Sequence, residues 1–83
     1  MTGKILYKAS VSHDLKKIAP REKERILRQI GAVLAEDPRS GESLHGEFNG
    51  LFKLRVGDYR VIYALTAQGV LVLRIRQRGK AYE

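Results

Sequence analysis

The segment 51–63, which reads L-F-K-L-R-V-G-D-Y-R-V-I-Y, constrains the fold of this 83-residue chain more than any other. Alternating apolar and polar residues flank the Gly-Asp pair at 57–58, and this pattern predicts a β-hairpin with a two-residue turn, since glycine tolerates a positive φ. Successive strand side chains point to opposite faces of a sheet. The hairpin therefore has one apolar, aromatic face and one basic face that carries Lys53, Arg55 and Arg60.

A short strand and a short helix are predicted before the hairpin. The residues at 4–8 favour a strand, and apolar residues at helical spacing predict a helix over 12–18. Ser10 or Ser12 would cap this helix, and Asp14 would lie favourably in its first turn.

The second predicted helix begins at Pro20 and ends at Asp37. Its apolar residues recur on one stripe: Ile26, Leu27, Ile30, Val33 and Leu34. Gly31 inside this pattern predicts close packing against a neighbouring element. The two helices would cover the apolar face of the sheet.

The remaining chain is predicted to form a loop and a last strand. Residues 38–50 read as a loop, and 70–78 read as a strand. Its alternation predicts a helix-facing set (Leu71, Leu73 and Ile75) and a set on the basic face (Val70, Val72, Arg74, Arg76 and Arg78). We therefore expect one α+β domain over 1–83, with a mostly antiparallel four-stranded sheet, two N-terminal helices packed on one face, and the order β-α-α-β-β-β.

Charge and composition narrow the class of partner. The formal charge is +7, and residues 51–83 hold seven Lys/Arg against two acids, whereas residues 1–50 hold nine against seven. Positive charge held on strands predicts binding to a nucleic acid or an acidic protein. The chain has no Cys and no stretch near the about 20 apolar residues of a membrane span, so we expect a soluble cytoplasmic protein without a disulfide or thiolate metal site.

The order of these motifs resembles the RelE-type toxins of the RelE/ParE toxin–antitoxin superfamily. The resemblance is carried by D-L-K-K-I in the first helix, K-L-R-V-G-D-Y-R-V-I-Y in the hairpin and R-I-R-Q-R-G-K-A-Y at the end. It implies a toxin that cleaves messenger RNA in the ribosomal A site, with contacts to ribosomal RNA. It also implies a cognate antitoxin that holds the toxin inactive in a hetero-oligomer, and no membrane partner.

The resemblance also implies roles for particular residues. The family's catalytic arginines fall on Arg60 and Arg78, and its C-terminal tyrosine falls on Tyr82. Its RNA-positioning residues fall on Lys53 and Arg55. Where many family members have His or Lys, this chain has Gln77, which cannot act as an acid or base.

The basic residues fit a nuclease that needs no metal or other cofactor. If the 2′-OH of RNA attacks the adjacent phosphorus, arginines can stabilise the added charge on the phosphoryl oxygens. Proton transfer would then fall to Tyr82, Lys53 or an arginine. Arg74 and Arg76 would contact RNA or an acidic antitoxin, and an antitoxin could dock in a groove containing Ile62 and the valines of the last strand.

Two alternatives stay open on the sequence. The same scaffold serves ParE-like inhibitors of DNA gyrase, and it could serve a nuclease-inactive module that binds only an antitoxin. Tyr59 and Tyr63 are expected in the core, and His13 and His45 on the surface. His45, Glu47 and Asp58 have no recognisable metal-ligand spacing.

Overall fold

The computed structural model describes residues 4–77, which form an α+β fold as predicted. The helices are α1 (Ala9–Leu15) and α2 (Pro20–Gln29), and the strands are β1 (Lys4–Tyr7), β2 (Glu42–Ser43), β3 (Leu51–Val56), β4 (Tyr59–Thr66) and β5 (Gly69–Gln77). A π-helical turn over Ile30–Leu34 continues α2, and a 3-10 turn over Gly46–Phe48 precedes β3.

The strands form one sheet in the order β1-β5-β4-β3-β2. Only β1 and β5 run parallel, so the sheet is mostly antiparallel. The predicted four strands are joined by β2, which lies within the segment predicted as a loop. Its two residues are too few to show an alternating pattern, and it forms by pairing Glu42 with Lys53 and Ser43 with Phe52.

The central hairpin is confirmed. The β3–β4 pairing ends with Val56 opposite Tyr59, and Gly57 adopts a φ of +59° in the two-residue turn between them. Phe52 stacks on Tyr63 across the strands, with ring centroids 5.3 Å apart, on the face that packs against the helices.

The first helix begins earlier than predicted. It starts at Ala9, and Lys8 occupies the N-cap position without a side-chain cap. Ser10 and Ser12 are therefore not caps, and Asp14 lies in the last turn of α1 rather than its first. The hydroxyl of Ser10, which was expected to cap the helix, instead donates a hydrogen bond to the carbonyl of Leu73 (2.7 Å). Because Leu73 is distant in the sequence, this partner and the true start of the helix could not be predicted from local patterns.

The core lies between the helices and one sheet face. Its buried apolar members are Val11, Ile18, Ile26, Ile30, Leu34, Val56, Val61, Tyr63, Val70, Val72 and Ile75. The predicted helical stripe is confirmed, although Leu27 and Val33 are only partly buried. Gly31 does not pack closely, because a Cβ added there would meet no atom within 4 Å.

A β-bulge in β5 overturns part of the predicted face assignment. Ile62 pairs with Arg74 but Tyr63 pairs with Val72, so Leu73 is an extra residue in the ladder. Before the bulge, Val70 and Val72 are buried in the core, with exposures of 1% and 0%, and they do not lie on the basic face. The predicted antitoxin groove that included these valines is therefore wrong.

After the bulge the predicted assignment is correct. Ile75 pairs with Val61 and is buried in the core. Arg76 therefore lies on the opposite sheet face, which neither helix of residues 4–77 covers. We refer to this uncovered side of the sheet as the open face.

Candidate nucleic-acid interface

Three arginines form a row across the open face. Arg55 lies directly opposite Arg60 on β4, and Arg60 lies directly opposite Arg76 on β5. Directly opposed residues have Cβ atoms about 4.5–5.5 Å apart, and like charges in such positions repel. Arg60 is half-buried, with its Nε atom inaccessible to solvent. We term these three residues the arginine row. The row concentrates positive charge on one part of the sheet, and a bound anion would neutralise this charge.

Lys53 lies beside the arginine row. It pairs with Ile62, two residues from Arg60 on the same face of β4. Its Nζ is 3.5 Å from the Glu42 carboxylate, and its side chain is 16% exposed. The strand β2, which the sequence did not reveal, thus supplies an acidic neighbour to this predicted RNA-binding residue.

Arg74 forms an ion pair with helix α1. Its Nε and Nη2 donate to the two Asp14 carboxylate oxygens at 2.9 and 3.0 Å, in a bidentate arrangement. Its side chain remains 44% exposed. An RNA contact by Arg74 remains a prediction, and any such contact would have to share the guanidinium with Asp14.

Asp14 is the buried charged residue at this site, with an exposure of 6%. Its Oδ2 also accepts a hydrogen bond from the backbone N–H of Ile75 (3.0 Å). Burial by itself raises the pKa of Asp14, but the hydrogen bonds from Arg74 and Ile75, with the charges of Arg74 and Arg76, outweigh burial and lower the pKa. Asp14 is thus held as a carboxylate.

A pocket of about 360 Å³ opens at the end of β5. It is lined by Asp14, Lys17, Ile18, Tyr59, Arg74, Ile75, Arg76 and Gln77. Arg76 belongs both to this lining and to the arginine row.

The open face also carries an apolar row. One lateral row of directly paired residues crosses four strands: Leu6, Leu71, Ala64 and Leu51. Leu6 is among the exposed large hydrophobic residues of the described chain. The open face therefore combines an apolar row with a basic row, which suits a partner that presents both apolar and acidic groups.

Some of the remaining predicted residues lie within the described part of the chain and others do not. Arg78 and Tyr82 lie outside the described residues, so their catalytic roles stay predictions. Tyr63 is buried and Tyr59 half-buried against the core, and His13 and His45 are exposed, as expected.

Two other features are absent from residues 4–77. No three His, Asp or Glu side chains in this part of the chain come together as a possible metal site. No helix of the same residues is long and apolar enough to cross a membrane.

Comparisons with solved structures define the class of protein. A chain of the toxin–antitoxin complex RelBE2 from Mycobacterium tuberculosis is 27% identical, with a TM-score of 0.87 over 94% of this chain and 100% of that one. A chain of the RelE–RelB complex from Pyrococcus horikoshii OT3 is also 27% identical, with a TM-score of 0.70 over 98% and 100%. Isolated Escherichia coli RelE, at 18% identity and a TM-score of 0.75 over 96% and 88%, shares the fold. The fold is that of RelE-type toxins.

A family comparison makes the assignment more specific. The family described as the ParE toxin of the type II toxin–antitoxin system, parDE, matches residues 5–82. The chain belongs to this family, within the RelE/ParE superfamily, and is a toxin of a type II toxin–antitoxin system. No curated protein is significantly similar to it in sequence.

Proposed function

We propose that this toxin is an endoribonuclease that cleaves messenger RNA in the ribosomal A site. The arginine row is the observation that carries the proposal, because the sheet register brings Arg55, Arg60 and Arg76 side by side on the open face. A phosphodiester bound across the row would be attracted by its concentrated positive charge. Arginine suits this task, since its planar donors match phosphate oxygens.

Cleavage would proceed by attack of the substrate's own 2′-OH on the adjacent phosphorus. The new bond from O2′ to phosphorus forms a 2′,3′-cyclic phosphate while the bond from phosphorus to O5′ breaks. Arg60 and Arg78 would stabilise the extra charge on the phosphoryl oxygens. One group must accept the 2′-OH proton and another must protonate O5′, and we assign these steps to Tyr82 and Lys53. None of these steps requires a metal ion.

The other basic residues would bind RNA. Arg55 and Arg76 flank Arg60 in the arginine row, and Lys53 lies diagonally beside it. Arg74 would contribute through the exposed part of its guanidinium. We also propose contacts with ribosomal RNA, since the substrate is presented on the ribosome.

A cognate antitoxin is the proposed protein partner. The relatives from M. tuberculosis and P. horikoshii were solved as toxin–antitoxin complexes. On this chain, an antitoxin segment with apolar and acidic residues would cover the apolar row and the arginine row together. Occupation of the arginine row would exclude RNA and keep the toxin inactive in a hetero-oligomer.

Inhibition of DNA gyrase is the second candidate function. It is favoured by the family match, whose description names ParE. An inhibitor that only binds a protein has no need for three directly opposed arginines, which favours the nuclease. A nuclease-inactive binding module would show neither activity.

Primer extension on a messenger RNA, with and without translating ribosomes, tests the proposal. We expect cuts at defined codon positions only in the presence of ribosomes, and we expect Arg60→Ala and Arg78→Ala to abolish them. Cuts on naked RNA would retain the nuclease and remove the ribosome from its mechanism. Intact message together with inhibited gyrase supercoiling would establish the second candidate instead.

A further inference from the structure

The outer edge of β5 changes its neighbour halfway along its length. β1 pairs with β5 only as far as Tyr7 opposite Val72. Beyond that point, within residues 4–77, α1 takes the place of a neighbouring strand. The N–H of Lys8 donates to the carbonyl of Val72 at 2.9 Å, and Ser10 Oγ donates to the carbonyl of Leu73 at 2.7 Å.

Asp14 completes this set of contacts. It accepts hydrogen bonds from the Arg74 guanidinium and from the Ile75 N–H. Ser10 and Asp14 are four residues apart, so they lie on the same face of α1. Together they contact three consecutive residues of β5, beginning with the extra residue of the bulge.

The bulge determines where Arg76 lies. A bulge re-aims the residues that follow it, and a shift of one residue in strand register moves every side chain to the other face. With the bulge at Leu73, Arg76 lies opposite Arg60 on the open face. Without it, the pairing that buries Val70 and Val72 would continue, and Arg76 would face the core.

We propose that Ser10 and Asp14 are positioning residues for RNA binding, because they hold β5 in the bulged register that sets Arg76 beside Arg60. They act through the strand and do not touch the RNA themselves. This inference rests on the proposed function, since it assigns Arg76 to the RNA-binding surface.

The change in RNA affinity caused by Asp14→Asn shows whether Asp14 positions Arg76 or acts only through its charge, because the two roles predict changes in opposite directions. Replacing a carboxylate with an amide makes the chain more basic, and on charge alone the change should tighten RNA binding. If Asp14 positions Arg76, however, Asp14→Asn should weaken the binding of a short, fluorescently labelled single-stranded RNA by about tenfold. This is the effect of losing one charge-assisted hydrogen bond between Arg76 and the RNA. Glu24→Gln is the matched control, since this exposed helical carboxylate is ion-paired with Arg28 and its loss should leave binding equal or slightly tighter.

A double-mutant cycle tests whether the effect passes through Arg76. In an Arg76→Ala background, Asp14→Asn should weaken RNA binding by a clearly smaller factor, the remainder coming from Arg74, whereas a merely structural role would weaken binding by the same factor in both backgrounds. Ser10→Ala is the second variant, because it removes a single hydrogen bond and leaves the ion pair intact. We expect it to weaken binding by about two- to threefold, and by a smaller factor when Arg76 is absent.

The outcomes are distinguishable. Asp14→Asn protein that binds RNA as tightly as Glu24→Gln protein, or a loss by the same factor in the Arg76→Ala background, overturns the inference and leaves the proposed function intact. If Asp14→Asn protein does not fold, Ser10→Ala decides by the same two comparisons. Wild-type protein that does not bind this RNA overturns the inference, whereas the proposed function is decided separately by primer extension on translating ribosomes.

Discussion

Tyr63 joins the sheet to the segment that follows the helices. Its buried hydroxyl donates to the carbonyl of Pro38 at 2.8 Å and accepts from the N–H of Gly41 at 3.0 Å. Burial, with a smaller contribution from the charge of Asp37, raises the pKa of this hydroxyl despite the hydrogen bond from Gly41. The hydroxyl therefore remains a donor at neutral pH, and it holds in place the segment that leads into β2.

Tyr63→Phe should lower the free energy of unfolding by about 1–3 kcal/mol, because it leaves two backbone groups without their partner. Urea denaturation measures this change. Tyr59→Phe, on the same strand and half-buried, is the matched control and should cost less. Equal stabilities for wild type and Tyr63→Phe would show that the hydroxyl does not anchor the loop.

Asp14 makes stability depend on pH. Its folded-state pKa is lowered, so its stabilising contribution is present above the unfolded pKa of about 3.9 and is lost as pH falls through the folded value. Asp14→Asn should cost about 2 kcal/mol at pH 7, the scale of hydrogen bonds to a charged group, and progressively less as pH falls from 7 through the lowered pKa of Asp14. Thermal unfolding across this range measures the difference, and a gap that is constant with pH would contradict the assignment.

At the scale of elements, the π-helical turn contains a glycine that packing does not require. Gly31→Ala should raise the free energy of unfolding by about 0.5–1 kcal/mol, because alanine has the higher helix propensity and the added methyl group meets open space. Gly41→Ala provides the contrast, since its Cβ would lie 2.5 Å from the Tyr63 hydroxyl and 2.8 Å from the Lys53 carbonyl. Chemical denaturation of both variants should show opposite signs, and a destabilised Gly31→Ala would refute this account of the turn.

The elements were predictable where their pattern is long and regular. Strong alternation on both sides of a Gly-Asp turn specified the hairpin, and an apolar stripe over 26–34 specified the second helix. The bulge at Leu73 could not be predicted, because its neighbours on both faces are apolar and either register buries a hydrophobic set. The strand Glu42–Ser43 is defined by backbone pairing alone, which leaves no signature in residue type.

At the scale of the whole molecule, the net charge of +7 predicts salt-dependent RNA binding. Removing one cation that binds a phosphate should reduce the slope of log affinity against log salt by about 0.7 for single-stranded RNA. Arg55→Gln, at the exposed end of the arginine row, should therefore flatten the slope by about this amount. Lys23→Gln, which removes an exposed helical charge of the same sign, should leave the slope unchanged. Equal changes in the two variants would indicate diffuse attraction rather than binding at the row.

The candidate site was predictable from the sequence as a set of basic residues on one sheet face. Alternation placed Lys53, Arg55, Arg60 and Arg76 on one face, and the structure adds that the three arginines lie directly opposite one another across the strands. The ion pair of Arg74 with Asp14 could not be foreseen, because it joins residues 60 positions apart and depends on the bulge. Sequence patterns report which face a side chain occupies, whereas pairing between distant elements decides which neighbour it meets.

The measurement that tests the central claim most directly is the single-turnover rate of messenger-RNA cleavage on programmed ribosomes. Three proteins are compared: wild type, Arg60→Ala in the arginine row, and Arg28→Ala on the exposed surface of α2. Loss of a preorganised charge that stabilises the transition state should slow Arg60→Ala by about 10²–10³-fold, while Arg28→Ala stays close to wild type. Equal rates for the two variants, in folded protein, would contradict the assignment of catalysis to the open face.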